Sequence, residues 1–519
     1  MSTKNILWAD DEIDLLKSHI IFLQNKGYNV IAVNSGEDAI EKCKTSRIDL
    51  LFLDEMMTGL DGISTLKIIK KDNPNLPVVM VTKNEEEWLM EEAIAEQITN
   101  YLIKPVNPNQ ILMACKNIFE NKKISDDRNI KDFLSYYNSL IDLDYNSLDY
   151  SNWTDIYNDL CEWFIRLENM DNNDFIDMLN EQKIILNSQF SNFFKSNYLS
   201  WINRNSYKPT MSFDVFDHSI KSYVEDDKKI VFIIIDCLRA DQWKKISPLV
   251  EDRFDVNQNY HYSILPSATP FARNSIFSGL LPLEIKNEYP EIWKKMFINH
   301  EFNKHEDVLF EKLLQKNSFL NKKSSYIKVS DFKSGKKILN KISDYKNSDI
   351  LNIVVNFVDI LGHSRSESQI LEELIPNEAA YRQSIYNWFN NSWLNDCLSE
   401  FYNWGRDVII TSDHGNILVN KPVAVKADST VSTGTRYKYG RNLNIKSKNV
   451  LKISNPESYM LPKFDVNTEY LIAEDRSFFV YHNQYHKYIN MYKNSFQHGG
   501  VSLDEVIIPL VKLKNKKND

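Results

Sequence analysis

The stretch KKIVFIIIDCLRAD, residues 228–241, decides how the larger half of this chain is read. Its apolar core, residues 230–235, is largely β-branched and has no polar alternation. That pattern predicts a strand buried on both faces, as in a parallel sheet covered by helices. The run ends on Asp236, placing a carboxylate at the C-terminal end of a strand, where such sheets carry their chemistry. ILNIVVNFVDILGH (350–363) repeats the arrangement with Asp359 and His363, RDVIITSDHGN (406–416) repeats it with Asp413 and His414, and FQHGGVSLDEVIIPLV (496–511) sets His498 before two glycines and one more strand.

Three aspartates and three histidines therefore fall just past strand ends, although the chain has only 10 histidines. Imidazole nitrogen and carboxylate oxygen without thiolate suit Zn²⁺, with Mn²⁺ next. Six ligands exceed one tetrahedral ion, so the expectation is two ions clamping a phosphoryl group. LPSATPFARNSIFSG (265–279) supplies a hydroxyl: Thr269 precedes Pro270, a residue favoured at the first helical position, and Gly279 marks the helix end. Thr269 is thus expected at the cap position, and the residues alone leave it either a capping hydroxyl or a nucleophile.

The first 120 residues alternate strand and helix patterns. NILWAD, NVIAVN, DLLFLD, PVVMVT and NYLIKP read as five strands, each followed by an amphipathic stretch, which predicts a doubly wound parallel sheet. Asp10, Asp11, Asp54, Thr82 and Lys104 stand at the strand ends. Three carboxylates crowded together call for Mg²⁺, and a carboxylate beside Mg²⁺ and an ammonium can accept a phosphoryl group.

Between the two patterns the chain is Asn-, Asp- and aromatic-rich and very poor in Gly and Pro. Trp153, Ile156, Leu160, Trp163, Phe164 and Leu167, and again Phe190, Phe194, Tyr198 and Trp201, recur at helical spacing. They predict a small helical bundle packing its own core, or a dimerisation or partner surface. The expected organisation is an α/β multidomain chain: residues 1–120 a doubly wound (βα)5 domain, 121–220 the helical bundle, and 221–519 an α/β domain with a mostly parallel central sheet.

Composition narrows the classes further. With 519 residues, 43% hydrophobic and 26% charged, the chain has no apolar run of membrane-spanning length and no export-type start, so a cytoplasmic location is expected. Five cysteines without a CxxC pair predict free thiols. The net charge is −9, and residues 1–120 hold 12 Lys and Arg against 19 Asp and Glu. That balance, with no helix-turn-helix pattern, speaks against direct DNA binding.

DDE, LDEMMTGLDG, Thr82, Tyr101 and the Lys104-Pro105 pair resemble two-component receiver domains. The resemblance implies Asp54 as phosphoacceptor, Mg²⁺ held by Asp11, Asp54 and the Met56 carbonyl with Asp10 assisting, Thr82 and Tyr101 as switch residues, and a sensor histidine kinase as partner. Thr58 stands where the family has proline, which loosens the acceptor loop and removes no catalytic group. DCLRADQW, SATPFARNS and HGG are similar to the PglZ domain of the alkaline phosphatase superfamily. That similarity implies a Thr269 nucleophile, one zinc on Asp359, His363 and His498, and another on Asp236, Asp413, His414 and Thr269. The order receiver, helical segment, PglZ domain resembles response regulators of type IX secretion in Bacteroidota.

The expected activity is hydrolysis of cyclic or linear oligonucleotide phosphodiesters, through a covalent nucleotidyl-threonine, under control of phosphorylation that dimerises the receiver. The basic stretch 421–465, with nine Lys and Arg against three Asp and Glu and with Tyr437 and Tyr439 between cations, is read as a grip on phosphates and bases or as a solvated charged loop. The competing expectation is a phosphorylation-switched adaptor for a sigma factor or a secretion-motor component, with a mainly structural metal site.

Overall fold

The computed structural model describes residues 4–83, 98–170, 173–204, 207–366, 368–426, 432, 434–445, 447–481 and 485–518, with the side chains of 117 and 120–128 left aside. The chain divides into two compact units, Met1–Tyr136 and Tyr137–Asp519. Among the described residues no helix is long and apolar enough to cross a membrane, and all five cysteines are free.

In the first unit five parallel strands, β1 (Asn5–Ala9), β2 (Asn29–Val33), β3 (Leu50–Asp54), β4 (Val78–Thr82) and β5 (Asn100–Ile103), lie in the order β2-β1-β3-β4-β5. Alternate residues of one strand serve opposite faces: Ile6, Trp8 and Phe52 join one core, Leu7, Ala9 and Leu53 the other. This is the doubly wound sheet the sequence predicts. Ser35 caps the helix Gly36–Thr45 and Asp61 caps Gly62–Asp72, each side chain accepting a backbone N–H. The expected helix after β4 falls on residues 84–97, outside the described residues. The helix that opens at Pro108 runs to Ile141, past the composition change near residue 120.

The second unit is built on a six-stranded mixed sheet. Its strands are β6 (Ile230–Ile235), β7 (Phe254–Tyr262), β8 (Ser324–Val329), β9 (Ile350–Val355) and β10 (Asp407–Thr411), then, after a lobe of short strands, β18 (Ile507–Asn515). The lobe comprises β11 (Ile417–Leu418), β12 (Lys421–Val425), β13 (Tyr437–Gly440), β14 (Val450–Ile453), β15 (Glu469–Ala473), β16 (Ser477–Tyr481) and β17 (Phe496–Gln497). The order is β7-β18-β10-β6-β9-β8, parallel except that β18 runs antiparallel to β7 and β10. All residues of β6 and β9 are buried, as an unbroken apolar run at the centre of a covered sheet requires.

The helices Tyr150–Asn169 and Asn173–Ile202 bury the aromatic stripes seen in the sequence. They do not close on themselves as an independent bundle. Trp153 meets Phe190 at 5.5 Å between ring centroids, but Phe190 and Trp201 also reach Tyr262 of β7, at 6.2 and 5.6 Å. Buried charge adds to this join. Lys183 Nζ lies 2.8 Å from Asp504 Oδ2 and 3.2 Å from Glu378 Oε2, and the Tyr157 hydroxyl donates to Asp504 Oδ1 at 3.0 Å. Apolar stripes wide enough to cover a sheet edge were legible in the sequence; what they would cover was not.

Candidate functional site

Four segments bring donors to the C-terminal end of the mixed sheet. Asp236 follows β6 directly, Asp413 and His414 follow β10, His498 follows β17, and Asp359 and His363 share one face of the helix Phe357–Arg365 at i and i+4. Two trios form, Asp359–His363–His498 and Asp236–Asp413–His414, each with one ligand atom per residue within 4.8 Å of the others. In the first, His363 Nε2 and His498 Nε2 converge at 3.2 Å, with Asp359 Oδ1 at 3.3 and 3.5 Å from them. In the second, His414 Nε2 lies 3.8 Å from Asp236 Oδ1 and 3.7 Å from Asp413 Oδ2.

Cys237 holds the two strand ends together. It adopts φ 69°, a left-handed conformation that a non-glycine residue enters at a cost. The turn directs its N–H to Asp413 Oδ1 at 3.4 Å and the Leu238 N–H to Ser412 Oγ at 3.0 Å.

The hydroxyl of Thr269 points into the second trio, 3.0 Å from His414 Nε2 and 3.5 Å from Asp236 Oδ1. The expected capping role does not hold: Ala268 is the N-cap, with no side-chain cap bond, and Thr269 is the first helical residue. The side chain is therefore released from the backbone for the site. Pro270 has no N–H, and the Phe271 N–H donates to the Ala268 carbonyl at 2.9 Å, so neither position offers an amide to a phosphate.

His414 Nδ1 lies 3.1 Å from the Gly415 carbonyl. A carbonyl only accepts, so Nδ1 carries the proton and Nε2 presents its lone pair to the site. Burial, then the neighbouring His414, drives the His498 pKa down to about 3, which keeps that imidazole neutral. Burial alone would raise Asp359, but its contact with His363 and the electrostatic pull of the neighbouring His498, His363 and His414 outweigh it, and its pKa lies below the usual carboxylate range. Burial, with the like charge of Asp413, raises the pKa of Asp236, and Arg273 opposes the rise.

This donor set fits divalent ions. Asp359 Oδ1, Asp413 Oδ2 and His498 Nδ1 are buried without a hydrogen-bond partner among the described residues, and buried carboxylate oxygens left so are costly unless something cationic meets them.

Several residues that hold the site were not singled out in the sequence. Arg273 and Glu306 are both buried, and Arg273 Nη1 lies 2.6 Å from Asp236 Oδ2. His261 Nε2 donates to the Ser412 carbonyl at 2.9 Å, and Ser263 Oγ to the Asp413 carbonyl at 2.7 Å. Arg273 had a signal: it stands four residues after Thr269 on the same helix, one turn along the same face. His261 and Ser263 had none, because they act on backbone brought close by β18.

The stretch 421–465 corrects another expectation, apart from residues 427–431, 433 and 446, which lie outside the described residues. It is not an open phosphate grip, because several of its cations are already paired within the fold, some buried and some at the surface. Arg436 is buried and donates to Glu505 through Nε and Nη2 at 2.7 Å each, while Arg441 pairs with Asp465 at 2.6 Å, Lys452 with Glu469 at 2.9 Å and Lys463 with Glu457 at 3.0 Å. Its aromatic half does reach the site: Tyr437 and Tyr439 pack edge-on against Phe271, two residues from Thr269, at 5.8 and 6.3 Å.

In the first unit the three carboxylates Asp10, Asp11 and Asp54 gather within 4.8 Å. Lys104 Nζ bridges Asp10 at 2.8 Å and Asp54 at 2.9 Å. Burial raises the Asp54 pKa, Asp10 and Asp11 add to it, and Lys104 opposes the rise. A methyl group on Gly62 would overlap the Asp54 carbonyl oxygen, so the loop after β3 closes only over glycine. Thr82 donates to Glu55. Met56 and Tyr101 are exposed beside this pocket, and the Lys104–Pro105 bond is cis.

Three family models match the chain. The family model described as the BREX system PglZ alkaline phosphatase-like domain matches residues 215–513, that of the response regulator receiver domain residues 6–116, and that of the PorX response regulator linker domain residues 123–202. Among curated proteins the chain is similar to the alkaline phosphatase synthesis transcriptional regulatory protein PhoP of Bacillus subtilis, 31% identical over 122 residues, or 24% of this chain and 51% of that protein. It is also similar to the transcriptional regulatory protein ZraR of Escherichia coli, 38% identical over 103 residues, or 20% of this chain and 23% of that protein. The chain thus spans about half or less of the length of these relatives. A solved receiver domain protein (CheY-like) from Methanospirillum hungatei is 26% identical, covers 24% of this chain and 98% of its own, and gives a TM-score of 0.23.

Proposed function

Since this chain belongs to the PglZ alkaline phosphatase-like family and carries a response regulator receiver ahead of that domain, we propose that it is a phosphorylation-controlled two-zinc phosphodiesterase whose nucleophile is Thr269. The observation that carries this reading is the Thr269 hydroxyl, 3.0 Å from His414 Nε2 at the edge of two donor trios.

Asp236, Asp413 and His414 would hold one ion, with Thr269 beside it, and Asp359, His363 and His498 the other. When bound, such ions offset the charge that develops on the phosphoryl group and ease ionisation of a hydroxyl. Thr269 Oγ1, held 3.0 Å from His414 Nε2 and 3.5 Å from Asp236 Oδ1, would attack phosphorus after giving its proton to solvent; the bond from phosphorus to the diester alcohol breaks, and the departing alkoxide takes up a proton from water. Water then releases the phosphoryl group from the threonine. The buried Asp236 turn and the Gly415-bonded imidazole of His414 fix the geometry before substrate arrives, which is where most of the rate gain of such a site lies. Tyr437 and Tyr439, backed by the buried Phe271, would give the diester an aromatic wall, which favours cyclic or linear oligonucleotides over small monoesters.

The receiver domain implies a sensor kinase as partner and a Mg²⁺ site. Asp54, beside Lys104, is the acceptor in this reading. Its phosphorylation dimerises the receiver and modulates the hydrolase. In the same reading this regulation serves type IX protein secretion, with a sigma factor or secretion component as a further partner; the match of residues 123–202 to a PorX response regulator linker domain supports it.

The test pairs zinc analysis with hydrolysis of bis(p-nitrophenyl) phosphate, p-nitrophenyl phosphate and short oligonucleotides. Wild type should hold two zinc ions and prefer diesters, and Thr269→Ala should keep its zinc while losing activity by roughly 10³-fold or more. A zinc-loaded Thr269→Ala protein with full diesterase activity overturns the assignment.

A further inference from the structure

Arg273 lies inside the second unit with almost no exposure, and so does Glu306. Arg273 Nε donates to Glu306 Oε1 at 2.6 Å and Nη1 to Asp236 Oδ2 at 2.6 Å, with Asp413 Oδ2 3.8 Å from Nη1. Glu306 is held in turn by Tyr326, by Lys328 at 3.4 Å and by the Asn303 side-chain amide at 2.9 Å. The same Asn303 amide lies 3.2 Å from the Thr269 carbonyl, to which it donates. A closed set of contacts therefore runs from the Thr269 backbone through Asn303, Glu306 and Arg273 to Asp236, and the Thr269 side chain completes it at Asp236 Oδ1.

The two Asp236 oxygens are divided by this arrangement: Oδ2 is occupied by the guanidinium and Oδ1 faces Thr269 and His414. A guanidinium presents donors in a fixed fork and so meets two carboxylates at a set angle, which a lysine ammonium does not. Because Arg273 stands one helical turn beyond Thr269, the group that orients the carboxylate and the hydroxyl beside it move as one rigid piece.

We propose that Arg273, held by Glu306, is a positioning residue of the metal centre: it fixes Asp236 as a one-oxygen ligand through Oδ1 and couples that ligand's orientation to the Thr269 helix. This rests on the two-ion reading of the site but not on the identity of the substrate. Partners that orient a metal ligand typically contribute 10- to 100-fold in metal affinity.

The experiment measures zinc affinity of the full chain by competition with a chromophoric chelator. Arg273→Gln should weaken one of two zinc ions by about 10- to 100-fold and leave the other near its wild-type affinity. Glu306→Gln, which keeps the guanidinium, should weaken the same ion in the same direction, and it decides the question if Arg273→Gln fails to fold. Arg273→Lys should recover part of the loss, since it restores charge but not the fork. In diester hydrolysis the loss should fall on kcat rather than KM. Two zinc ions bound with wild-type affinity in folded Arg273→Gln and Glu306→Gln overturn the proposal. Absence of diesterase activity in wild type refutes the proposed function and leaves the zinc comparison standing.

Discussion

Replacing Lys183 with methionine removes a buried charge while keeping most of the side chain's volume. Lys183 is 3% exposed, and its ammonium sits between Asp504 and Glu378 at 2.8 and 3.2 Å. Burial alone would lower its pKa, but these two carboxylates outweigh it and raise it, so the group is charged as folded. The substitution leaves both carboxylates buried with one cation fewer. Breaking a buried pair from one side costs about 3–5 kcal/mol, or between two and about three and a half decades in the unfolding equilibrium. Adding Asp504→Asn removes one stranded charge and keeps the acceptor for Tyr157, so the double variant should regain about 1 kcal/mol or more. Tryptophan fluorescence during urea unfolding is the assay, because eight of the ten tryptophans lie beyond residue 136. A loss below about 1 kcal/mol, the scale of an exposed pair, would refute the view that these helices are bound to the catalytic unit through buried charge.

His261 is buried, and burial takes its pKa down from 6.5 to about 4. The unfolded chain therefore takes up this proton before the folded one does, so stability falls by about 1.4 kcal/mol per pH unit from pH 6.5 towards pH 4, a slope that His261→Asn should flatten in metal-free protein. In the receiver, Asp54→Ala should abolish labelling by acetyl phosphate, and Lys104→Met, which removes the cation at 2.9 Å from Asp54, should retain labelling but lose any response to it. Equal labelling of Asp54→Ala would exclude that acceptor. A methyl group on Gly415 would overlap the Asp504 carbonyl oxygen, which belongs to backbone and has little room to move. Gly415→Ala should cost about 3 kcal/mol or more and displace His414, seen as lost zinc in whatever protein folds.

Fold class was legible because strand burial writes itself into composition. The six apolar residues of β6 allow no exposed face, and all six are buried. The gathering of carboxylates at strand ends was legible for a similar reason, since the topology of a parallel sheet brings the residues after β6 and β10, Asp236 and Asp413, to one end. Thr269 was misplaced by one residue because Thr-Pro is a common helix entry, and only its bond to His414 shows that the backbone does not use the hydroxyl. The cations of residues 421–465 were misread because a charge run in sequence does not reveal its counter-ions: Glu505 lies 69 positions from Arg436. Arg273, Glu306 and His261 were missed because each acts on a segment remote in sequence.

The strand β18 has one more consequence. It lies between β7 and β10 and pairs antiparallel with both, Ile507 opposite Tyr262 and Leu510 opposite Thr411. β7, which leads to Ser263 and Thr269, joins the sheet only through β18. During synthesis, then, residues 254–269 have no sheet neighbour until some 240 further residues have been made, and closing so long a loop is slow. A chain made only as far as residue 506 would carry all six donors of the two trios while Ser263 and Thr269 still lacked the strand that docks them. Assembly of the proposed site therefore waits on the docking of one late strand.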